Sequence, residues 1–517
     1  MHKMVRKKDI FFLLILLSGI FARVYLFGQV PDGLNQDEAF AGYEAWNILT
    51  THHDTMGYRF PLYLFTNGGG MNALETYLMI PFIAIFGPQD WVIRIPQEVI
   101  AVLSLPAMYG VARRIFNERV ALWAMLLLAW SPWHIMMSRW GLESNLAPGV
   151  LLFALYFFLR GVEDKRFLIV SALMYGLSLY SYAVIWPYVP LMLLLQTAYL
   201  ISCGKISFRS RILYICAGIV AVMAIPLLLV VCVNYGLIGE ISTRFFSIPK
   251  LDFLRTNQTS GYSIKENVQN LLQIIFLQSD GLIWNSPKKF GLYYPFGILF
   301  ILIGIAGTVQ SFLTKWKKKE YAPECFILLP LLCGLILGVT SHVNVNRINI
   351  IFIPLLMMGG NGAVQLVLFL NKKIHKAERW SAAGIAALYL GAFLCFEYYY
   401  FTDYRMESAA AFDAGLKDAL QEAEKSGKTI HINKSGIYPK VLYYLQIPVE
   451  EYMETRVFSD WHPMPKTTVN LFFDMETAVP DREGVFILED GADISPFVKA
   501  GFDVKQFKSC HYLYYPK

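Results

Sequence analysis

Long apolar runs separated by short polar segments occupy most of the first 400 residues. An apolar run of roughly 17–25 residues can cross a bilayer as a helix. Runs of about this length lie at 10–28, 95–112, 119–137, 146–160, 167–183, 184–202, 212–234, 291–313, 323–341, 348–370 and 380–402. The pattern predicts a polytopic α-helical membrane protein with about eleven spans, the first of them a retained span rather than a cleaved signal peptide.

Basic residues concentrate in every second loop. Their clusters lie at 3–8, 113–119, 160–166, 205–211, 315–319 and 372–379. Because short cytoplasmic loops are rich in Lys and Arg, this alternation predicts a plasma-membrane protein with a cytoplasmic N-terminus and an extracytoplasmic C-terminus. The apolar segment 72–86 contains Glu75 and would invert every later loop if it crossed the membrane. It is therefore predicted to be an interfacial or re-entrant helix on the outer side.

The chain changes character near residue 403, where polar residues become frequent. Apolar residues recur at helical spacing between 411 and 423, and short β-prone runs lie at 429–432, 469–473 and 485–488. Alternating helix and strand signals predict a small α/β domain. The predicted organisation is a transmembrane module at 1–402, with outer loops at about 29–94 and 235–290, and a soluble extracytoplasmic domain at 403–517.

The composition agrees with a membrane protein and argues against two other classes. Of 517 residues, 56% are hydrophobic and only 16% are charged, too few to cover a soluble protein of this length. The net charge of +6 comes from loop clusters with a topological role, so nucleic-acid binding is not indicated. The cysteines form no C-x-x-C pair, so neither a zinc site nor a disulfide framework is predicted.

Two adjacent carboxylates, Asp37 and Glu38, follow the first span directly. A carboxylate at the membrane surface can accept a proton from a sugar or lipid hydroxyl, as a general base must. The same pair could bind a divalent cation through its oxygens. Acidic residues also suit the first turn of a helix, so the pair could simply begin one. The sequence leaves these three interpretations open.

Four arginines are predicted to lie near the outer surface. They are Arg23, Arg94, Arg139 and Arg347. An arginine at membrane depth is costly, so it usually has a partner or a task. Guanidinium groups at this surface could clamp the phosphate or pyrophosphate of a lipid. The alternative is that they extend toward lipid headgroups, as arginines at span ends commonly do.

Four further side chains are weaker candidates for substrate contacts. They are Tyr43, Tyr182, His134 and Asn346. Tyr182 belongs to an aromatic segment at 180–188 that could stack on a sugar, although an interfacial aromatic belt has the same composition. No metal-ligand spacing is present, and no cofactor is predicted.

The order of these features resembles the lipid-carrier-dependent membrane glycosyltransferases of the GT-C fold. The resemblance covers roughly residues 10–400 and is greatest to the bacterial family 39 group, which is related to protein O-mannosyltransferases and to the aminoarabinose transferase of lipid A. The matching features are Arg23, Asp37-Glu38-Ala39, Tyr43…Trp46-Asn47-Ile48, Asp54…Gly57…Pro61, Phe86-Gly87, Arg94-Ile-Pro96, Arg113-Arg-Ile-Phe116 and Ser131-Pro-Trp-His134…Ser138-Arg139.

The resemblance implies a chemistry. The donor is a sugar on a polyprenyl phosphate or diphosphate at the outer leaflet, and the acceptor is a lipid, glycan or protein hydroxyl. The role of base falls on Asp37, with Glu38 beside it, and arginines stabilise the departing phosphate. One displacement inverts the anomeric centre. A divalent metal is compatible with this group, but a tightly bound one is not expected.

Two other classes of function compete with the transferase. A transporter or flippase of lipid-linked sugars would place ionisable residues at mid-membrane depth and show repeats between its halves. A non-catalytic surface or assembly factor would act through the C-terminal tail, which shows no acid/base or metal constellation. The ionisable residues predicted at the outer surface favour the transferase.

Overall fold

The computed structural model describes residues 7–66, 69–253, 262–374, 376–458, 464–473 and 479–516. Helices make up most of it. Those in the first half of the chain are α1 (Lys7–Val24), α2 (Gln36–Thr51), α3 (Leu74–Phe86), α4 (Asp90–Ile115), α5 (Glu118–Ala129), α6 (Pro132–Ser138), α7 (Glu143–Glu163), α8 (Arg166–Ser178), α9 (Tyr188–Ser202) and α10 (Arg211–Asn234). The next are α11 (Ile264–Leu272), α12 (Gly297–Lys317), α13 (Cys325–Thr340), α14 (Val345–Ile348), α15 (Phe352–Lys373) and α16 (Ala377–Phe401).

Seven helices in the described part of the chain are long and apolar enough to cross a membrane. The number is eight if α5 and α6, which meet at a bend of 57°, form one broken span. The predicted spans at 10–28, 167–183 and 323–341 correspond to α1, α8 and α13. These three helices are not counted among the seven by length and apolar composition. The predicted polytopic fold is confirmed, and eleven is an approximate number of spans. Lys3 and Arg6 of the first basic cluster lie outside the described residues.

Close packing of α12 against α15 shows how the bundle is held. A Cβ atom on Gly304 would lie 1.7 Å from the carbonyl oxygen of Met358, and one on Gly362 would lie 1.9 Å from that of Phe300. Only glycine fits at both positions, so the two backbones approach as closely as small residues allow. In lipid the hydrophobic effect does not drive helices together, so small residues at a helix interface increase van der Waals contact between them.

The segment predicted to avoid crossing the membrane forms α3, which has 13 residues. Such a helix is about 20 Å long, too short for a hydrocarbon core of about 30 Å. It follows a hairpin of β1 (Tyr63–Thr66) and β2 (Gly69–Asn72). The interfacial or re-entrant prediction therefore agrees with its length.

The remaining elements are two short strands that form a hairpin and the helices and strands of the C-terminal part. The hairpin strands are β3 (Ile241–Ser242) and β4 (Ser247–Ile248). The C-terminal helices are α17 (Asp403–Glu407), α18 (Leu416–Lys425), α19 (Tyr438–Leu445), α20 (Val449–Thr455) and α21 (Ser495–Lys499). The C-terminal strands are β5 (Thr429–Ile432), β6 (Val457–Phe458), β7 (Pro465–Thr468), β8 (Leu471–Phe473), β9 (Gly484–Glu489), β10 (Asp503–Phe507) and β11 (Cys510–Tyr514).

The C-terminal strands form one sheet in the order β10-β11-β9-β5-β8-β7-β6. The three central strands β9, β5 and β8 are parallel, and the outer pairs are antiparallel. The predicted small α/β domain is confirmed. The predicted helix from 411 begins at Leu416, because Gly415 has a positive φ of 87° that ends the preceding turn. The boundary at 403 stays a prediction.

The C-terminal domain packs against the first long loop, which joins α1 to α4. One apolar core contains Ala39, Phe40 and Ile93 from the membrane module together with Val441 and Leu442 from the domain. The hydroxyl of Tyr43 donates to the backbone carbonyl of Ile447 at 2.7 Å. A shared core fixes α2 in place, and α2 carries the adjacent carboxylates.

Candidate functional site

A capping box sets the direction in which Asp37 and Glu38 point. The side-chain oxygen of Asn35 accepts a hydrogen bond from the backbone N–H of Asp37 at 3.0 Å. The Glu38 carboxylate accepts one from the backbone N–H of Asn35 at 2.7 Å. Such reciprocal bonds fix the first turn of a helix. The helix-start interpretation therefore holds for Glu38, whereas Asp37 lines a cavity.

Glu38 is buried in an ion pair with Arg94. The Arg94 Nη2 lies 2.7 Å from Glu38 Oε1 and its Nε lies 3.0 Å from Oε2, with both side chains wholly buried. The backbone N–H of Gly141 also donates to Glu38 Oε2 at 2.8 Å. Both carboxylate oxygens are thus occupied, and Glu38 does not line the cavity beside Asp37.

Arg94 and Arg139 satisfy backbone carbonyls around the turn that follows α1. Besides Glu38, Arg94 donates to the carbonyls of Pro31 and Gly33, at 2.9 and 2.6 Å. All three guanidinium nitrogens of Arg139 donate to carbonyls between residues 22 and 30. The last carbonyls of a helix have no partner within it, so buried guanidinium groups supply one here. Neither arginine lines the cavity, and their phosphate binding stays a prediction.

Arg23 and His134 form a second buried contact. The Arg23 guanidinium donates to the carbonyls of Gly19, Leu128 and Ala129 and to Nδ1 of His134 at 2.6 Å. Because the guanidinium has only donors, this Nδ1 must act as an acceptor. Both side chains are fully buried and lie outside the cavity lining, as does Tyr43. We therefore assign these three residues to the packing of α1, α2 and α6.

The polar cavity has a volume of about 270 Å³. Four of the ten predicted site residues line it: Asp37, Tyr182, Asn346 and Arg347. The other lining residues are Thr66, Gly69, Gly70, Leu142, Glu143, Ser144, Phe253 and Asn344. These residues come from α2, the β1–β2 hairpin, the start of α7, the segment before the 3-10 turn at 183–185, the loop after β4 and α14. The fold thus brings a carboxylate and an arginine, 310 positions apart in the sequence, to one opening.

Arg347 is held by the N-terminal cap of α14 and by a carboxylate from the preceding long loop. The Asn344 side chain accepts from the backbone N–H of Arg347 at 2.9 Å. Asp280 Oδ2 accepts from the backbone N–H of Val345 at 2.9 Å and from Asn285 Nδ2 at 2.6 Å. Among the described residues, the guanidinium makes one hydrogen bond, a 3.3 Å contact from Nη1 to a backbone carbonyl. Most of its donors can therefore face an anion in the cavity.

Two carboxylates near the cavity were not predicted as site residues. Glu143 lines the cavity, and its Oε2 accepts from the backbone N–H and Nδ2 of Asn72, at 2.5 and 3.1 Å. Glu75 is 1% exposed and approaches Gly141, where an added Cβ would lie 2.9 Å from its Oε1. The sequence signal that both share is a carboxylate at the edge of an apolar run, which has no distinctive spacing. In the sequence, Glu75 served only to argue against a membrane span.

In the described part of the chain, no three His, Cys, Asp or Glu side chains are close enough to form a metal-binding group. The carboxylates instead divide between Asp37 and Glu143 at the cavity and Glu38 in its ion pair. The carboxylates and the arginine that line the cavity suit hydrogen bonds to hydroxyl groups and to an anion, respectively.

A second acidic pair lies where the first long loop meets the C-terminal domain. Glu44 accepts hydrogen bonds from the backbone and side chain of Thr55, whose carbonyl accepts one from Arg456. Burial raises the pKa of Glu44 well above its ordinary value, and the neighbouring Asp54 charge raises it further. Burial also raises the pKa of Asp54 to about 7, against the opposing effect of three backbone N–H groups and Arg456. The raised pKa of Asp54 predicts that this contact responds to pH near neutrality.

Comparison with known proteins identifies the fold. Residues 74–229 match the family described as dolichyl-phosphate-mannose-protein mannosyltransferase. ArnT from Cupriavidus metallidurans in the apo state matches with a TM-score of 0.59 at 11% identity, over 98% of this chain and 98% of that chain. ArnT bound to undecaprenyl phosphate matches with the same TM-score and identity, over 98% and 99% of the two chains.

An oligosaccharyltransferase from Archaeoglobus fulgidus, in complex with Zn and sulfate, has a TM-score of 0.50 at 13% identity, over 84% of this chain and 61% of that chain. No curated protein matches the chain. At these identities the structural likeness establishes the fold. The resemblance to GT-C membrane glycosyltransferases indicated by the sequence is confirmed.

Proposed function

We propose that this chain, which has the GT-C fold of membrane glycosyltransferases, transfers a sugar from a polyprenyl-phosphate carrier to an acceptor hydroxyl. Asp37 is the base, and Arg347 binds the carrier phosphate. The observation that carries the proposal is the polar cavity, where these two residues meet with Tyr182 and Asn346. A base for the acceptor and a cation for the leaving phosphate are the two groups that this transfer needs.

The proposed step is a single displacement. The acceptor oxygen forms a bond to the anomeric carbon while its proton passes to Asp37. The bond from that carbon to the carrier phosphate breaks, and its electron pair leaves on the phosphate. Arg347 stabilises the charge that develops there through charge-assisted hydrogen bonds. Attack from the side opposite the leaving group inverts the anomeric centre.

A strong general acid is not required in this step, because the departing polyprenyl phosphate is already a stable anion. No residue of the polar cavity is therefore assigned to protonate it. Tyr182 and Asn346 offer a ring face and an amide to the sugar, and Glu143 offers a carboxylate oxygen to its hydroxyl groups. A lipid, glycan or protein hydroxyl fits the acceptor role equally well.

The proposed location is the plasma membrane, with the N-terminus in the cytoplasm and the polar cavity on the extracytoplasmic side. Its support is the alternation of basic and non-basic loops. The C-terminal domain packs against α2, which carries Asp37, so it lies on the same side as the cavity.

One observation favours a transporter or flippase of lipid-linked sugars as the second candidate. Glu98 in α4 and Glu397 in α16 are buried inside apolar helices, and their charges act on Arg23. Buried ionisable residues within spans are typical of transport pathways. Arg23 and Glu397 lie in the last turns of α1 and α16, and Glu98 lies in the first half of α4. These positions agree equally with support of a catalytic site at that end of the bundle.

The deciding experiment gives polyprenyl-phosphate sugars to purified wild type and to Asp37→Asn in nanodiscs and follows release of free carrier phosphate. The matched control is Asp32→Asn, a carboxylate of the same loop that pairs with Lys508 and Arg405 outside the cavity. We expect release by wild type and the control, and its loss in Asp37→Asn. Equal release by all three proteins would remove Asp37 as the base. Movement of intact donor across liposomes without release would establish the transporter.

A further inference from the structure

A second cavity, of about 410 Å³, lies among α8, α9 and α10 and is almost wholly apolar. On α8 its lining follows helical spacing, with Leu168, Ala172 and Tyr175 on one face. On α10 the lining extends from Leu213 to Ala224, about 16 Å along the helix axis. The apolar cavity is therefore narrow and elongated along the membrane helices.

Small side chains on α10 create this space. Cys216, Ala217, Ala221 and Ala224 all face the apolar cavity and are too short to reach the opposite wall. When such an apolar space is empty, the side chains that line it lack dispersion contacts on one side. A hydrocarbon chain in the space supplies those contacts. Its shape and lining suit one extended hydrocarbon chain.

The apolar cavity is separate from the polar cavity. Helix α7 connects them, with Glu143 lining the polar cavity and Phe158 lining the apolar one. These positions are about 22 Å apart along a helix. A carrier whose phosphate is at Arg347 has its headgroup at the other end of the bundle.

Basic residues are close in the chain to the residues that line the end of the apolar cavity distant from Arg347. Ile206 and Leu213 line this end, and the exposed side chains of Lys205, Arg209 and Arg211 are their close neighbours in the chain. Within the described residues, neither Arg209 nor Arg211 has an ion-pair partner. An elongated apolar space with cations at one end complements a molecule with a hydrocarbon chain and an anionic head.

We propose that the apolar cavity binds an anionic phospholipid of the leaflet opposite the polar cavity. One acyl chain fills the space along α10, and the phosphate lies against Arg209 and Arg211. This inference does not depend on the proposed transfer reaction. It assigns the basic segment 205–211 a lipid contact in addition to its role in topology.

The test uses native mass spectrometry of the purified full chain titrated separately with phosphatidylglycerol and phosphatidylcholine. The first variant, Ala217→Phe/Ala221→Phe, fills the cavity. Its control, Val222→Phe, adds the same ring on a side chain of α10 that is 65% exposed. We expect the double variant to lose at least about tenfold in phosphatidylglycerol binding while the control retains it.

The second variant, Arg209→Gln/Arg211→Gln, leaves the helices intact and so tests the headgroup even if the first variant fails to fold. We expect about tenfold weaker phosphatidylglycerol binding and unchanged phosphatidylcholine binding. Its control, Lys317→Gln/Lys318→Gln, removes two exposed cations at the end of α12. Equal binding of the two lipids by wild type, unaltered phosphatidylglycerol binding in Arg209→Gln/Arg211→Gln, or displacement of phosphatidylglycerol by polyprenyl phosphate would overturn the assignment.

Discussion

Two sets of charged side chains lie near the same end of the bundle and differ in what surrounds them. Glu38, Arg94 and Arg139 form a saturated cluster in which carboxylate oxygens and guanidinium nitrogens bond to each other or to the backbone. Asp37 and Arg347 instead line the polar cavity. Buried charges need partners, so the first set stabilises the fold. The second set lines a space that a substrate can enter.

The largest expected effect separates the two sets by breaking the saturated cluster. Arg94→Ala leaves the Glu38 carboxylate buried without its ion-pair partner, which costs about 3–5 kcal/mol of unfolding free energy. We expect a large drop in thermal stability in detergent, with carrier release per folded molecule close to that of wild type. The double variant Arg94→Gln/Glu38→Gln should recover part of the loss, because no buried charge remains uncompensated. A folded Arg94→Ala protein that cannot bind donor would instead place Arg94 in the site.

The next effect tests the set that lines the polar cavity. Arg347→Ala removes charge-assisted hydrogen bonds worth about 1.5–3 kcal/mol each, so the donor KM should rise about tenfold or more. Stability should change little, because the guanidinium makes a single long hydrogen bond within the described residues. Arg347→Lys should restore part of the affinity, since it keeps the charge but loses the planar fork. The control is Arg244→Ala, an exposed arginine of the second long loop.

A smaller effect is expected from the carboxylate that positions Arg347. In Asp280→Ala the backbone N–H of Val345 loses its acceptor, so the turn that carries Arg347 loosens. We expect donor KM to rise severalfold, from a loss of about 1 kcal/mol. Combined with Arg347→Ala, the substitution should add little, because the positioned group is already absent. Fully additive losses in the double variant would show that Asp280 acts independently of Arg347.

The last effect concerns pH and the contact between the first long loop and the C-terminal domain. The folded pKa of Asp54 is raised to about 7, above the ordinary 3.8, so the folded state binds more protons between these values. Stability from this group is therefore full below pH 4 and declines as pH rises toward 7. Asp54→Asn should flatten the change in thermal midpoint between pH 5 and pH 8. A midpoint that rises over this range in wild type, and stays unchanged in the variant, would contradict the assignment.

Much of the membrane fold can be predicted from local patterns. Apolar runs of about membrane-spanning length become α4, α7, α10, α12, α15 and α16, because backbone groups in lipid must bond within their own segment. The prediction is less sharp where a span is broken or short. The run at 119–137 bends by 57° between α5 and α6, and its length alone does not reveal the bend.

The site could be predicted only in part. Asp37, Tyr182, Asn346 and Arg347 do line one cavity, although their roles there stay predictions. Glu143 was missed because a single carboxylate before an apolar run has no distinctive spacing. Arg23, Arg94 and Arg139 were grouped with Arg347 because an arginine near a span end looks the same in a sequence whether it binds a carbonyl or a phosphate.

The sequence by itself determined that the chain is a polytopic membrane protein with an α/β C-terminal domain and an acidic pair after the first span. Only the tertiary structure decided which carboxylate of that pair lines a cavity. Successive residues of a helix point about 100° apart, so Asp37 and Glu38 face different surroundings. Arg94, 56 residues after Glu38, pairs with Glu38 in one of those surroundings, and Arg347 lines the same cavity as Asp37 in the other.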